Sequence, residues 1–180
     1  LLFSSVFAHP SIIMRRDIIS DYNLEYKEEF KHAEDFEFWT TLAEYTSFSN
    51  IKKPLLKYRI LGDSTTRKAD RDLENRYNIL KLIFTKYLKK LEIKNNENEN
   101  RLHFNLTVNT RIRDSKIDFI TLEKYFNKIE SENIKKNLFD PIELKKVLGK
   151  KWIWNLYYTK KLKGIFSSYF IFGMWSILSK

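Results

Sequence analysis

A chain of 180 residues that is 43% hydrophobic and 16% aromatic has apolar material for one sizeable core with a helical appendage, and it is not a disordered chain. It contains no cysteine, which excludes disulfides and thiol chemistry and is compatible with a reducing compartment. The net charge of +10 is unevenly placed: residues 1–60 carry 8 Lys/Arg against 9 Asp/Glu, whereas residues 145–180 carry eight Lys and no acid.

The chain begins Leu1-Leu2-Phe3 with no basic stretch ahead of it, so no signal peptide is visible, and it reads as a fragment cut inside a strand. Ser11–Met14 is expected as a strand, with Pro10 just outside it or at its first position. Asp17 opens a short helical turn to Tyr22, and a loop with the acidic pair Glu28-Glu29 runs to Phe30. A helix follows from Asp35 to about Tyr45. At 100° per residue Phe38, Leu42, Trp39, Thr46, Ala43 and Phe36 share one arc, while Glu37, Thr40, Thr41 and Glu44 lie opposite. Asp35 falls within the apolar arc. Two readings fit a carboxylate there: a capping and dipole device, or a working acid–base group.

Phe48–Ile51 and Leu55–Ile60 read as two short strands around Lys52-Lys53-Pro54, and Leu61-Gly62-Asp63-Ser64 as a turn. Leu73, Tyr77, Leu80, Phe84, Tyr87 and Leu91 then predict a long amphipathic helix over Ala69–Leu91. Lys94–Asn100 is expected as a polar loop. Leu102, Phe104, Leu106 and Val108 alternate as a strand does, but Leu102, Leu106 and Asn109 fit a helix, which the helical neighbours favour. Leu122, Tyr125, Phe126 and Ile129 mark another helix. Asp140 as N-cap and Pro141 at the first position open the next, through Leu144, Val147 and Leu148. The last stretch holds Trp152, Trp154, Tyr157 and Tyr158, then Lys160-Lys161-Leu162-Lys163, then a 14-residue apolar run from Ile165 to Leu178. That run is shorter than the roughly 20 residues that span a bilayer. It reads either as a membrane-interface element or as a terminal helix packed on the rest of the fold.

The ordered set His9-Pro10-Ser11-Ile12-Ile13-Met14-Arg15-Arg16, Tyr22, Glu34-Asp35-Phe36-Glu37-Phe38-Trp39 with Leu42-Ala43, and Leu55-Leu56-Lys57-Tyr58-Arg59 resembles the second half of a family 2 glycosyltransferase of the GT-A fold. The likeness covers residues 7 to 66. It implies an α/β fold: the C-terminal part of a doubly wound GT-A domain with few short strands, over residues 1–66, followed by a mainly helical extension over 67–151 and a basic, aromatic tail helix over 152–180. In such enzymes the first half binds the nucleotide-sugar donor and carries an Asp-x-Asp that holds a divalent cation, Mg²⁺ or Mn²⁺. The only Asp-x-Asp here, Asp70-Arg71-Asp72, stands elsewhere, so the main cation ligands are expected outside this chain. The second half receives a glycan or lipid-linked acceptor and supplies the general base, which the resemblance maps to Asp35. Trp39 becomes an acceptor-lining or supporting residue, and His9 stands where the family commonly has a histidine. Leu61 stands where many members have a histidine after Tyr-Arg.

Transfer with inversion needs a base for the acceptor hydroxyl and positive charge near the departing diphosphate. Asp35 suits the first role. Glu34 is either a first-turn acid favoured by the helix dipole or a group that orients Asp35 or touches the acceptor. His9 is a structural histidine or part of the site. Arg15 and Arg59 are phosphate-contact candidates, or partners of acids in the fold. His32 and His103 read as structural or surface. No metal-ligand spacing, Ser-His-Asp set or glycine-rich phosphate loop is present. Nucleic acid is disfavoured as a partner, because the bases of residues 61–144 are interleaved with acids and no stacking platform stands out. The rival reading is a non-catalytic helical scaffold that docks on membrane surfaces through its basic aromatic C-terminus. The transferase reading goes with a cytoplasmic location, peripheral at the inner face of the membrane.

Overall fold

The computed structural model of the chain describes residues 1–59, 64–108, 117–159 and 167–178. They form eight helices: α1 (Arg16–Asp21), α2 (Glu34–Leu42), α3 (Thr65–Ala69), α4 (Leu73–Lys90), α5 (Glu97–Thr107), α6 (Phe119–Lys136), α7 (Pro141–Thr159) and α8 (Ser168–Leu178). Two single 3₁₀ turns, His9–Ser11 and Glu28–Phe30, precede α1 and α2 respectively. The chain divides into two compact units, Leu1–Thr85 and Lys86–Lys180.

The expected α/β class is overturned: no described residue lies in a β-strand. The three expected strands show why. Ile12 and Arg15 do take extended backbone angles, but a strand also needs a ladder partner for its N–H and C=O groups. Ser11–Met14, Phe48–Ile51 and the described part of Leu55–Ile60 find none among the described residues. Their alternating apolar residues stay in the open instead, with Ile13 96% exposed and Ile51 and Leu55 also exposed. No GT-A-type sheet forms among the described residues. The expected turn at Leu61–Ser64 falls mostly outside the described residues, as does Leu61 itself.

In the first unit Phe38, Trp39 and Leu42 of α2 form a core cluster. Leu1, Phe7, Ile12, Ile18, Ile19 and Leu24 pack against it. The expected helix over Ala69–Leu91 is broken at its start. α3 ends at Ala69, and Asp72 restarts the chain as α4 by accepting a hydrogen bond from the Asn75 N–H at 3.0 Å.

In the second unit Leu122, Tyr125, Phe126 and Ile129 of α6 are buried, as the spacing predicts, with Leu144, Leu148 and Trp152 of α7 and Tyr169 of α8. Trp152 meets Phe119 and Tyr169 with ring centroids at 4.9 and 5.6 Å. The alternation at Leu102–Val108 resolves as helix α5. Its start lies inside the expected polar loop, where Asn96 and Glu99 make a capping box. His103 is buried, with Nδ1 2.7 Å from the Tyr125 hydroxyl. Asp140 caps α7 as expected, through the Glu143 N–H at 2.9 Å. α7 then continues through the tryptophans to Thr159. It packs on α8 at two glycines: a Cβ on Gly149 would lie 2.8 Å from the Tyr169 carbonyl oxygen, and one on Gly173 would lie 2.7 Å from the Gly149 carbonyl carbon.

Candidate active site

α2 is short and covered nearly all round. Phe36 through Thr40 are all buried. The two-faced wheel expected for it therefore fails at Glu37, which lies on the nominally polar side and is only 1% exposed. The Glu37 carboxylate is held by Lys27 Nζ at 3.5 Å and by the Thr41 hydroxyl, which donates to Oε1 at 2.9 Å. A buried carboxylate needs such partners to stay in the fold.

Asp35 behaves differently. The N-cap position is Ala33, with no side-chain cap, so the first-turn N–H groups turn to other acceptors and Asp35 supplies one. Its Oδ1 accepts from the Phe36 N–H at 2.8 Å and the residue is half-buried. Two neighbours feel its charge. Burial pushes the Tyr26 phenol up, and the Asp35 charge adds to that rise. Burial pulls the Arg76 guanidinium down, while Asp70 and Asp35 oppose the fall. The Asp35 charge thus reaches both a phenol and a guanidinium.

The aromatic side of this arrangement gathers several of the expected residues. Tyr26 stacks on Phe38 at 4.5 Å and meets the His9 ring at 5.5 Å. His9 in turn lies 5.9 Å from Trp39. Trp39 is 1% exposed, and its indole Nε1 is buried without a hydrogen-bond partner among the described residues. Asp35, His9 and Trp39 are therefore brought to one neighbourhood, with Tyr26 as the link that sequence reasoning missed. Glu34 is half-exposed on the first turn of α2 beside Asp35. Trp39 and Leu42 also line a groove of about 540 Å³, together with Phe7, Ile12 and the extended chain from Phe48 to Tyr58.

The two phosphate-contact candidates lie apart from Asp35's immediate neighbours. Arg15 is on the rim of the groove, where its guanidinium forks onto Asp17, with Nε to Oδ1 at 3.2 Å. That pair raises the Arg15 pKa and lowers the Asp17 pKa. Arg59 is exposed at the end of its described segment. A second depression of about 210 Å³ is lined by the cations Lys31, Lys68 and Arg76, with His32, Asp72 and Asn75.

The expected divalent cation finds no ligand set here. Among the described residues no group of three or more His, Asp or Glu side chains is arranged to hold a metal ion. Asp70-Arg71-Asp72 does not fit one either, since Asp70 Oδ1 lies 3.1 Å from Arg76 Nε and Asp72 caps α4.

No protein-family model and no solved structure matches the chain. Over 94 residues it is 27% identical to a protein of Haemophilus influenzae named as an uncharacterized glycosyltransferase. The match takes in 52% of this chain and 29% of the relative, so the chain spans less than a third of that protein's length. The chain is thus similar, over about half its residues, to a glycosyltransferase. No helix among the described residues is long and apolar enough to cross a membrane.

Proposed function

We propose that this chain is the acceptor-side part of an inverting glycosyltransferase that moves a sugar from a nucleotide-sugar donor to a glycan or lipid-linked acceptor. The observation that carries the reading is the state of Asp35. It is a half-buried carboxylate on the first turn of α2, outside the N-cap position, whose charge reaches the phenol of Tyr26, and the Tyr26 ring in turn meets His9. Similarity to a named glycosyltransferase supports it.

In this reading an acceptor sugar lies against the exposed rings of Tyr26 and His9, where its C–H faces meet ring faces, with Trp39 packed behind them. The acceptor hydroxyl gives its proton to the Asp35 carboxylate as its oxygen attacks the anomeric carbon. The bond from that carbon to the diphosphate breaks, and its electron pair leaves with the nucleoside diphosphate. Arg76, Lys68 and Lys31 supply positive charge for that departure. Glu34 orients the base. Glu37 is no rival for the role, because its carboxylate is enclosed and held by Lys27 and Thr41.

The test is Asp35→Asn in the full-length gene product, assayed for nucleoside diphosphate release from a panel of nucleotide-hexoses. Loss of a general base lowers kcat by about 10²- to 10⁴-fold, with the donor KM nearly unchanged. Turnover equal to the parent's would remove Asp35 from the chemistry. A parent that consumes no nucleotide sugar would sink the transferase reading as a whole.

A further inference from the structure

We propose that the α7–α8 hairpin is a docking surface for the face of an anionic lipid bilayer, on which it lies without crossing. This inference does not rest on the transferase reading.

Each helix of the hairpin has a buried side and an open apolar side. On α7, Leu148, Trp152 and Asn155 are buried, while Val147, Trp154, Tyr157 and Tyr158 are exposed on the opposite arc. Trp154, Tyr157 and Tyr158 form a mutual ring cluster, with centroids 5.1 to 6.1 Å apart. On α8, Tyr169, Gly173 and Ser176 are buried, and Ile171, Trp175 and Leu178 lie opposite, 67%, 47% and 75% exposed. Large apolar side chains left open in this number mark a surface that meets something.

The composition of the patch selects a membrane surface as the occupant. Tryptophan and tyrosine combine an apolar body with a polar tip and concentrate where hydrocarbon meets headgroups. Residues 145–180 carry eight lysines and no acid, which complements anionic lipid. Lys145 and Lys146 sit over the Phe172 and Trp175 rings at 4.9 and 4.5 Å, and each also has an acid partner, Glu130 at 3.9 Å and Glu143 at 2.6 Å, so charged heads and aromatic faces share one surface. Neither helix is suited to a span: α8 has 11 residues, about 16 Å of helix against a hydrocarbon core of about 30 Å, and α7, with 19 residues, carries Glu143, Lys145, Lys146, Lys150 and Lys151.

The measurement is co-sedimentation of the full chain with vesicles of phosphatidylcholine alone and of phosphatidylcholine with phosphatidylglycerol. The proposal expects binding to the anionic vesicles only, and a marked loss as salt rises from about 0.1 to 0.5 M. A triple variant, Trp154→Ser, Tyr157→Ser and Tyr158→Ser, changes exposed positions and is expected to lower vesicle partitioning by about tenfold or more. A control pair, Ile120→Ser and Ile134→Ser on exposed positions of α6, is expected to leave it unchanged. Equal binding to both vesicle types, or none to either, would overturn the proposal. So would concentration-dependent self-association in sedimentation that the triple variant abolishes, which would make the patch an interface between copies of the chain.

Discussion

Asp35 and Glu37 lie two residues apart on α2 and meet opposite environments. Glu37 is enclosed, and its carboxylate is tied to Lys27 and Thr41, so its work is to hold the loop carrying Lys27 against α2. Asp35 accepts a local bond from the Phe36 N–H and, half-buried, keeps access to solvent. Stability and chemistry should therefore separate between them. Glu37→Ala removes the acceptor for two donors and opens a void, and should lower unfolding stability by about 1–3 kcal/mol. Asp35→Asn keeps shape and volume, and should change stability by no more than about 0.5 kcal/mol while lowering kcat by about 10²- to 10⁴-fold. Urea unfolding of both variants beside the turnover assay checks the pair. A large stability loss in Asp35→Asn would return that residue to a structural role.

At the level of elements, the α7–α8 contact is the most extensive helix pair among the described elements, and it depends on two backbones meeting at Gly149 and Gly173. Gly149→Ala places a methyl group against the Gly173 backbone, which no side-chain rotation can relieve. It should cost about 1–3 kcal/mol, read as a lower midpoint in urea, although alanine is the better helix former. A neutral or stabilising result would mean that the helices are not so close. This contact was not legible in the sequence, because two glycines 24 positions apart announce nothing about each other. The helices themselves were legible where a short-range signal exists: the 3-and-4 spacing of α6, and the Asp140-Pro141 start of α7. The capping box of Asn96 and Glu99 was present too, but polar composition hid it inside an expected loop. The strands failed for the opposite reason. Alternation records only a tendency, and the pairing that makes a strand lies outside the segment. At the site, Asp35, His9 and Trp39 could be chosen from their order along the chain. Tyr26 and Arg76 could not, since only folding brings them near Asp35's charge.

Across the whole molecule, the second unit concentrates phenols that are held in the protonated form. Tyr125 is buried with its hydroxyl 2.7 Å from His103 Nδ1 and 2.9 Å from the Asn95 amide, and burial pushes its pKa far up. The Tyr169 hydroxyl donates to Glu130 Oε2 at 2.5 Å and has the Asn127 side-chain amide at 2.8 Å; burial is the main cause of its upward shift, and Glu130 adds to it. In the unfolded chain a tyrosine releases its proton near pH 10, whereas these two keep theirs in the fold. Below that pH the two states bind equal numbers of phenolic protons, and stability is indifferent to it. Above about pH 10 the unfolded state binds fewer protons than the native one, so stability falls as pH rises. Thermal melting should then be flat from about pH 7 to 9 and drop steeply beyond about pH 10. Tyr169→Phe separates this cause from general alkaline damage. It should melt earlier at neutral pH, because Glu130 and Asn127 lose a hydrogen-bond partner, yet decline less steeply between about pH 10 and 12, because one of the two coupled phenols is gone. Parallel curves for parent and variant would show that the Tyr169 proton is not what the alkaline transition removes.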